Sequence, residues 1–218
     1  MPTKLVNQKT VLEGVKRLNK EYPNAKYYLN WSTSLELFVA AMLSPQVRDE
    51  VVNVCTPKLF TKYKTAKDYA NASLKEFIET IKPISFPAMK AVRIQKACKI
   101  LVEKFNGKVP DTMEELTTIS GIGRKTANTI LMNAFGKVYG IPVDTHVIRV
   151  SYRFGWTKNK DPDKIEQDLM KIIPKEHWKK IAYQLKAHGR AICQAPIPYC
   201  SKCFLSDICP KNGVTKKY

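Results

Sequence analysis

The sequence predicts an all-α chain, and three observations predict it. Apolar residues recur three and four apart in one segment after another. Helix start and stop signals bracket those segments, and no stretch alternates apolar with polar residues for long enough to make a strand. Leu35, Phe38, Val39 and Met42 form the first stripe. Cys55 and Cys98 sit in helical patterns beside Val51, Val52 and Val54 and beside Ile94, Ala97, Ile100 and Leu101, which reads as two small buried side chains. Leu74, Phe77, Ile78 and Ile81 follow Ser73-x-x-Glu76, the pattern of a capping box. Gly107 and Pro110 close the helix that carries Cys98, and Thr112-x-x-Glu115 reads as a second box that opens a short helix. A turn at Gly121-x-Gly123 leads into a helix running to about Phe135, with Ala127, Ile130, Leu131 and Ala134 on its apolar side. Another helix starts near Thr145. Asp161-Pro162 is an N-cap with proline at the first helical position, ahead of Ile165, Leu169, Ile172 and Ile173, and Pro174 ends that helix. Trp178, Ile181, Ala182 and Leu185 make the last stripe, which Gly189 is expected to close. The segments 138–143 and 147–150 have local strand character but are too short to change the class.

Composition excludes several functions. With 218 residues and 44% hydrophobic content, roughly 70% of the extended surface can be buried, which rules out intrinsic disorder. The longest strongly apolar run lies around positions 37–43, far short of the ~20 residues of a membrane span. The first nine residues are polar, carry Lys4 and Lys9, and lack the apolar core of a secretion signal; the expectation is an intracellular protein of the cytoplasm or nucleoid. Thirty-seven Lys and Arg against nineteen Asp and Glu leave a net charge of +18, so the chain repels itself and calls for an anionic partner. Those charges are spread along the chain, which favours a folded basic surface that binds nucleic acid. No basic amphipathic segment with aromatic anchors suggests a membrane surface.

Four of the six cysteines crowd into one short segment, Cys193-x6-Cys200-x2-Cys203-x5-Cys209. Disulfides fit poorly with an intracellular chain of this size. Zinc stays open, although structural zinc sites usually pair two close arms across a long spacer. One compact loop that supplies all four sulfurs suits a [4Fe–4S] cluster better.

The segment Ile119-Ser-Gly-Ile-Gly-Arg-Lys-Thr-Ala-Asn128 carries most of the chemistry. Gly121 and Gly123 permit positive φ and close approach of the backbone to a ligand. The helix beginning at Arg124 aims its N–H groups and positive dipole end outward, an anion site suited to a DNA phosphate. A tight helix–helix turn would show the same Gly-x-Gly. A nucleotide P-loop is excluded, because Arg124 separates Gly123 from Lys125. Lys125 lies in the first helical turn beside Arg124, where a positive field disfavours its ammonium form; it is a candidate amine nucleophile, with phosphate binding as the alternative. Asp144, in Ile141-Pro-Val-Asp-Thr-His146, is a candidate catalytic acid that could equally be a helix cap. His146 has no second histidine or cysteine close by and is not a metal ligand on this reading.

Together these motifs resemble the endonuclease III family of helix-hairpin-helix DNA glycosylases. The resemblance rests on Leu43-Ser-Pro-Gln46-x-x-Asp49, the segment 119–128, Val143-Asp-Thr-His-Val-Ile-Arg149, His188-Gly-Arg190 and the cysteine loop, in the family's order over roughly residues 30–210. It implies two helical domains flanking a DNA-binding cleft: a six-helix barrel with the helix-hairpin-helix over 27–137, and an iron–sulfur domain from 1–26 with 138–218. It further implies a monomer acting on double-stranded DNA that holds damaged bases or abasic sites. Lys125 and Asp144 would be catalytic and Cys193, Cys200, Cys203 and Cys209 would hold a [4Fe–4S] cluster. Gln46, Phe86, Gly121, Gly123, Arg124, Thr145 and His146 would contact DNA. The activity so implied is a glycosylase/AP lyase for damaged, oxidised pyrimidines, working through a lysine Schiff base and β-elimination on a flipped-out nucleotide.

Two departures bear on this. Where the family reads Gly-Leu-Tyr-Asn-x-Lys-Ala, this chain has Ser85-Phe-Pro-Ala-Met-Lys-Ala91, so Phe86 stands as either an apolar wedge between bases or an ordinary loop plug. Ser120 replaces the usual proline before the hairpin glycine. A monofunctional adenine or mismatch glycosylase would lack the lysine that this chain has at position 125. A non-catalytic iron–sulfur module, binding DNA or sensing redox state, would need neither Lys125 nor Asp144.

Overall fold

Eleven α-helices and two short 3₁₀ turns make up the regular structure of residues 3–218, the part of the chain that the computed structural model describes. The first six helices are α1 (Gln8–Glu21), α2 (Ser34–Leu43), α3 (Asp49–Lys62), α4 (Ala66–Ala70), α5 (Leu74–Thr80) and α6 (Pro87–Phe105). Then come α7 (Met113–Thr118), α8 (Arg124–Ala134), α9 (Thr145–Arg153), α10 (Pro162–Ile172) and α11 (Trp178–Ala191). No strand occurs among the described residues, so the class is all-α. None of their helices is long and apolar enough to cross a membrane.

The chain divides into two units. Tyr28–Tyr139 carries α2 to α8. At its centre α2 packs on α3, α6 and α8. Positions 37–43 of that helix are all buried, so α2 is apolar on every side and the stripe read from the sequence is only one part of its buried surface. It begins at a complete capping box: Thr33 Oγ1 accepts the Glu36 N–H at 3.2 Å, and Glu36 Oε2 accepts the Thr33 N–H at 3.4 Å. Thr65 and Asp68 build a second complete box at α4.

The two boxes expected from sequence turn out differently. Ser73 makes no side-chain cap bond, and Glu76 instead accepts from Lys62 Nζ at 2.6 Å. Thr112 does cap α7, accepting the Glu115 N–H at 3.3 Å, but the Glu115 carboxylate accepts a hydrogen bond from the Thr112 hydroxyl at 2.7 Å and not from its backbone N–H.

The other unit joins the N-terminal segment up to Tyr27 to Gly140–Tyr218. Val11, Val15 and Leu18 of α1 share a core with Val147 and Val150 of α9, Ile165 and Leu169 of α10, and Ile181 and Leu185 of α11. The segment ahead of α1 is tied down at its backbone. Val6 N–H donates to Gly155 O at 3.1 Å, Lys4 N–H to Asn212 Oδ1 at 3.0 Å, and Asn212 Nδ2 to Lys4 O at 2.8 Å. Gly155 adopts φ +68°, and a Cβ there would stand 2.4 Å from Lys4 O, so two constraints require glycine at once. Gly189 does not end α11, which continues to Ala191. A Cβ at Gly189 would come within 3.1 Å of Arg149 Nη2, His146 Nδ1 and Val150 Cγ2, so this glycine admits α9 against α11 and does not act as a stop. The weakly strand-like residues 147–150 lie inside α9.

Candidate active site and nucleic-acid interface

Helices α7 and α8 and the turn between them form the hairpin. The Ile122 N–H donates to Ile119 O at 3.0 Å and closes the turn, with Ile122 itself buried as its plug. Gly121 sits at φ +91°, and a Cβ there would come 3.2 Å from Met42 Cε of α2. Gly123 does not use its conformational freedom: it is the extended N-cap of α8 at φ −87°, with open space around its Cβ position. Gly123 offers no side chain to cap α8 and no acid stands in its first turn; α6 and α11 also start without a side-chain cap or an acid, whereas side chains cap α1, α2, α4, α7, α9 and α10. The first turn holds Arg124 and Lys125, both exposed. Cations at a helix N-terminus run against the dipole, and the arrangement is favourable only when an anion completes it.

In the same unit two loops present side chains from left-handed backbone. Gln46 stands at φ 59° and Phe86 at φ 57°. Such angles are rare for a phenylalanine, and Phe86 is also 57% exposed. Pro87 is the first residue of α6, so the loop ends abruptly at Phe86. Behind these residues lies Lys90, a lysine only 4% exposed. Its ammonium donates to Leu43 O at 2.8 Å and Pro45 O at 2.7 Å. Burial pushes its pKa down to about 8.

Asp144 lies in the other unit and caps α9. Its Oδ1 accepts the N–H groups of His146 and Val147, both at 2.9 Å, while Thr145 beside it is exposed. His146 is half-buried, and burial lowers its pKa. Arg149 Nη2 meets His146 Nδ1 at 3.2 Å and also donates to Gly189 O at 2.9 Å, so the imidazole takes the proton on Nε2.

Cys193, Cys200, Cys203 and Cys209 line one small pocket together with Arg153, Phe154, Tyr199 and Lys211. Burial pushes the thiols of Cys193 and Cys203 up, and that of Cys209 up to about 12. Three of the four sulfurs face nitrogen groups. Arg153 Nη1 donates to Cys193 Sγ at 3.5 Å, His188 Nε2 lies 3.5 Å from Cys203 Sγ, and the Lys211 N–H donates to Cys209 Sγ at 3.4 Å. Tyr22 Oη, 3.2 Å from His188 Nδ1, holds that imidazole from its far side. All four sulfurs line one pocket and three of them face nitrogen groups, surroundings that suit thiolate ligands, although the Cys209 thiol also donates to Arg153 O at 3.3 Å and, among the described residues, no three Cys, His, Asp or Glu side chains stand together as a metal-holding group.

The structure thus gathers Gln46, Phe86 and the hairpin residues in one unit, and Asp144, Thr145, His146 and the four cysteines in the other. Sequence reasoning missed Lys90. Its signal was present: positions 90, 94, 97 and 101 form one helical stripe of α6, and a lysine stands on it beside isoleucine, alanine and leucine.

A profile of HhH-GPD superfamily base excision DNA repair proteins matches residues 39–175. The chain is 47% identical over 193 residues to endonuclease III of Synechocystis, covering 88% of each chain. It is 39% identical to endonuclease III of Bacillus subtilis, covering 98% of this chain and all of that one. Among solved structures, a trapped endonuclease III–DNA covalent intermediate superposes with a TM-score of 0.91 at 38% identity, over 95% of this chain and 97% of the other. A thermostable thymine-DNA glycosylase shares the fold, with a TM-score of 0.83 at 20% identity.

Proposed function

The chain belongs to the endonuclease III family of the HhH-GPD superfamily of base excision DNA repair proteins, and from that membership we infer how its own residues carry out the work. It is a DNA glycosylase with AP lyase activity. The substrate is duplex DNA with an oxidised pyrimidine, bound by a monomer in the cytoplasm. The observation that carries the reading is the α8 N-terminus, where an amine follows an uncapped glycine in a helix end built to hold an anion. The phosphate beside the damaged nucleotide occupies that end. Arg124 pairs with it, and the backbone at Gly121 and Gly123 lets it approach.

Lys125 is the nucleophile. Its amine attacks C1′ of the flipped sugar, and the glycosidic bond breaks with its electron pair leaving on the base, which takes up a proton. The C1′–O4′ bond then breaks, its electron pair leaving on O4′, which takes up a proton, and the open-chain protonated imine so formed acidifies the C2′–H; loss of that proton expels the 3′ phosphate and cuts the strand. Asp144 accepts the amine's proton and stabilises positive charge on the sugar. Gln46 fills the space of the extruded base, Phe86 wedges between base steps, and Thr145 and His146 contact the backbone. The unit Tyr28–Tyr139 is the barrel domain in this scheme, and the unit with both chain ends is the cluster domain.

A [4Fe–4S] cluster suits the cysteine pocket, and Cys193, Cys200, Cys203 and Cys209 would hold it. When bound it supplies structural cross-linking of the C-terminal loop and takes no part in base removal. Protein purified without air is expected to contain iron and acid-labile sulfide in equal amounts. Cys203→Ser is expected to lower the thermal stability of this unit, since ligation contributes directly to folding. Stoichiometric zinc without sulfide would show another group there.

The test of the function is a duplex with one oxidised pyrimidine, incubated with the protein in borohydride. A covalent protein–DNA adduct, together with release of the base, is the expected result. Base release without any adduct would instead favour a monofunctional glycosylase.

A further inference from the structure

We propose that Lys90, assisted by Ser85, is a positioning residue that locks the Gln46 turn and the Phe86 turn into one two-pronged element, so that wedge and gap-filler enter DNA as a unit. The inference rests on the roles given above to Gln46 and Phe86 and deepens them by identifying what fixes their separation.

Three bonds make the lock. Lys90 Nζ donates to Leu43 O at 2.8 Å and Pro45 O at 2.7 Å, and Ser85 Oγ donates to Gln46 O at 2.8 Å. Ser85 precedes Phe86 directly, and Lys90 follows it by one helical turn. Residues bracketing one prong therefore hold two carbonyls of the loop that carries the other, and the carbonyl of the helix residue from which that loop starts. The Leu43 carbonyl belongs to the last turn of α2, whose C-terminal carbonyls have no partner further along the helix. An ammonium there is favoured by the helix dipole. Closing a helix would not by itself need a buried lysine, because water serves exposed carbonyls and a desolvated cation is costly unless it is bonded.

The backbone angles supply the second argument. Gln46 at φ 59° and Phe86 at φ 57° occupy a left-handed conformation that is strained for side-chain-bearing residues. Such angles persist where the surroundings over-determine them. Here the lock is that surrounding: without it each turn can relax to negative φ, which swings its side chain to a new direction. A preset pair also avoids ordering two loops separately when DNA binds.

The test uses the full chain with Lys90→Met, which keeps length and removes the donors, and Ser85→Ala, which removes one bond from a partly exposed side chain. The DNA carries the lesion with 2-aminopurine as its neighbour, whose fluorescence rises when the stack opens. At saturating protein the rise should be largely lost in both variants. Single-turnover base excision should fall on the order of tenfold to a hundredfold, the effect of a misplacement of about 1 Å. Lyase activity on an abasic site in single-stranded DNA, which has no stack to open, should be unchanged. That contrast separates positioning from general damage, which would lower both activities together and overturn the proposal. Wild-type fluorescence and excision in the variants would also overturn it; should Lys90→Met fail to fold, Ser85→Ala decides. Wild-type protein that opens the stack without excising would defeat the catalytic reading alone, and the fluorescence of the variants would still judge the lock.

Discussion

Lys125→Gln is expected to abolish borohydride trapping and strand cleavage completely, while the protein stays folded and still binds DNA. Lys125 is an exposed residue in the first turn of α8, so the substitution removes an amine without opening the core. Glutamine and lysine have nearly equal helix propensity, so α8 is retained. Binding should weaken only as far as one cation contributes, with the salt dependence of log K falling by about 0.9 if Lys125 also neutralises a phosphate. Trapping yield, salt-titrated affinity and a melting curve on one preparation check all three. A variant that still traps would move the nucleophile to another lysine.

Asp144→Asn should differ in kind. Asp144 performs a structural task with Oδ1, which accepts both the His146 and Val147 N–H groups at 2.9 Å. Asparagine keeps a carbonyl oxygen for that task and is as good an N-cap as aspartate, so the melting temperature should barely move. Base excision, which uses the charge, should fall by about 10²–10⁴-fold. Lyase activity on a pre-formed abasic site should largely survive, because no base remains to be expelled. Asp144→Ala is the complementary variant: it should show the same loss of excision and in addition lose about 1 kcal/mol of stability with the cap. Equal loss of both activities in the asparagine variant would return Asp144 to a purely structural role.

What could be read in the sequence was what is encoded locally. The hairpin, the cap at Asp144 and the Asp161-Pro162 start are each written within a few neighbouring residues, and each forms. The four cysteines crowded in one short segment do line one pocket, while their spacing alone leaves zinc open beside a cluster. What could not be read depends on partners far along the chain. Ser73 has the letters of a cap, yet Glu76 bonds to Lys62, fourteen residues earlier. Gly189 has the letters of a stop, and its reason is the side chain of Arg149, forty residues away in sequence. The lock at Lys90 spans forty-seven residues to Leu43, so the local stripe of positions 90, 94, 97 and 101 could mark a lysine on a buried face but not the carbonyls it binds. Nor did Phe86 reveal its left-handed backbone, since bulky residues are the last expected there.

The hydrogen bonds that tie Lys4 to Asn212 span 208 positions, and their consequence is for the order in which a growing polypeptide can mature. On the ribosome α1 emerges early but lacks the partners that bury Val11, Val15 and Leu18 until α9, α10 and α11 have followed. The segment Tyr28–Tyr139 is continuous and holds its own packing partners, so it can complete its structure while synthesis is still under way. The other unit must wait until Asn212 has been added. During that interval the residues of α1 leave Val11, Val15 and Leu18 without the core that buries them, exposed apolar surface of the kind on which holding chaperones and proteases act. A nascent chain stalled shortly before residue 200 would therefore contain a finished half and an unfinished one, and quality control would meet both on the same molecule.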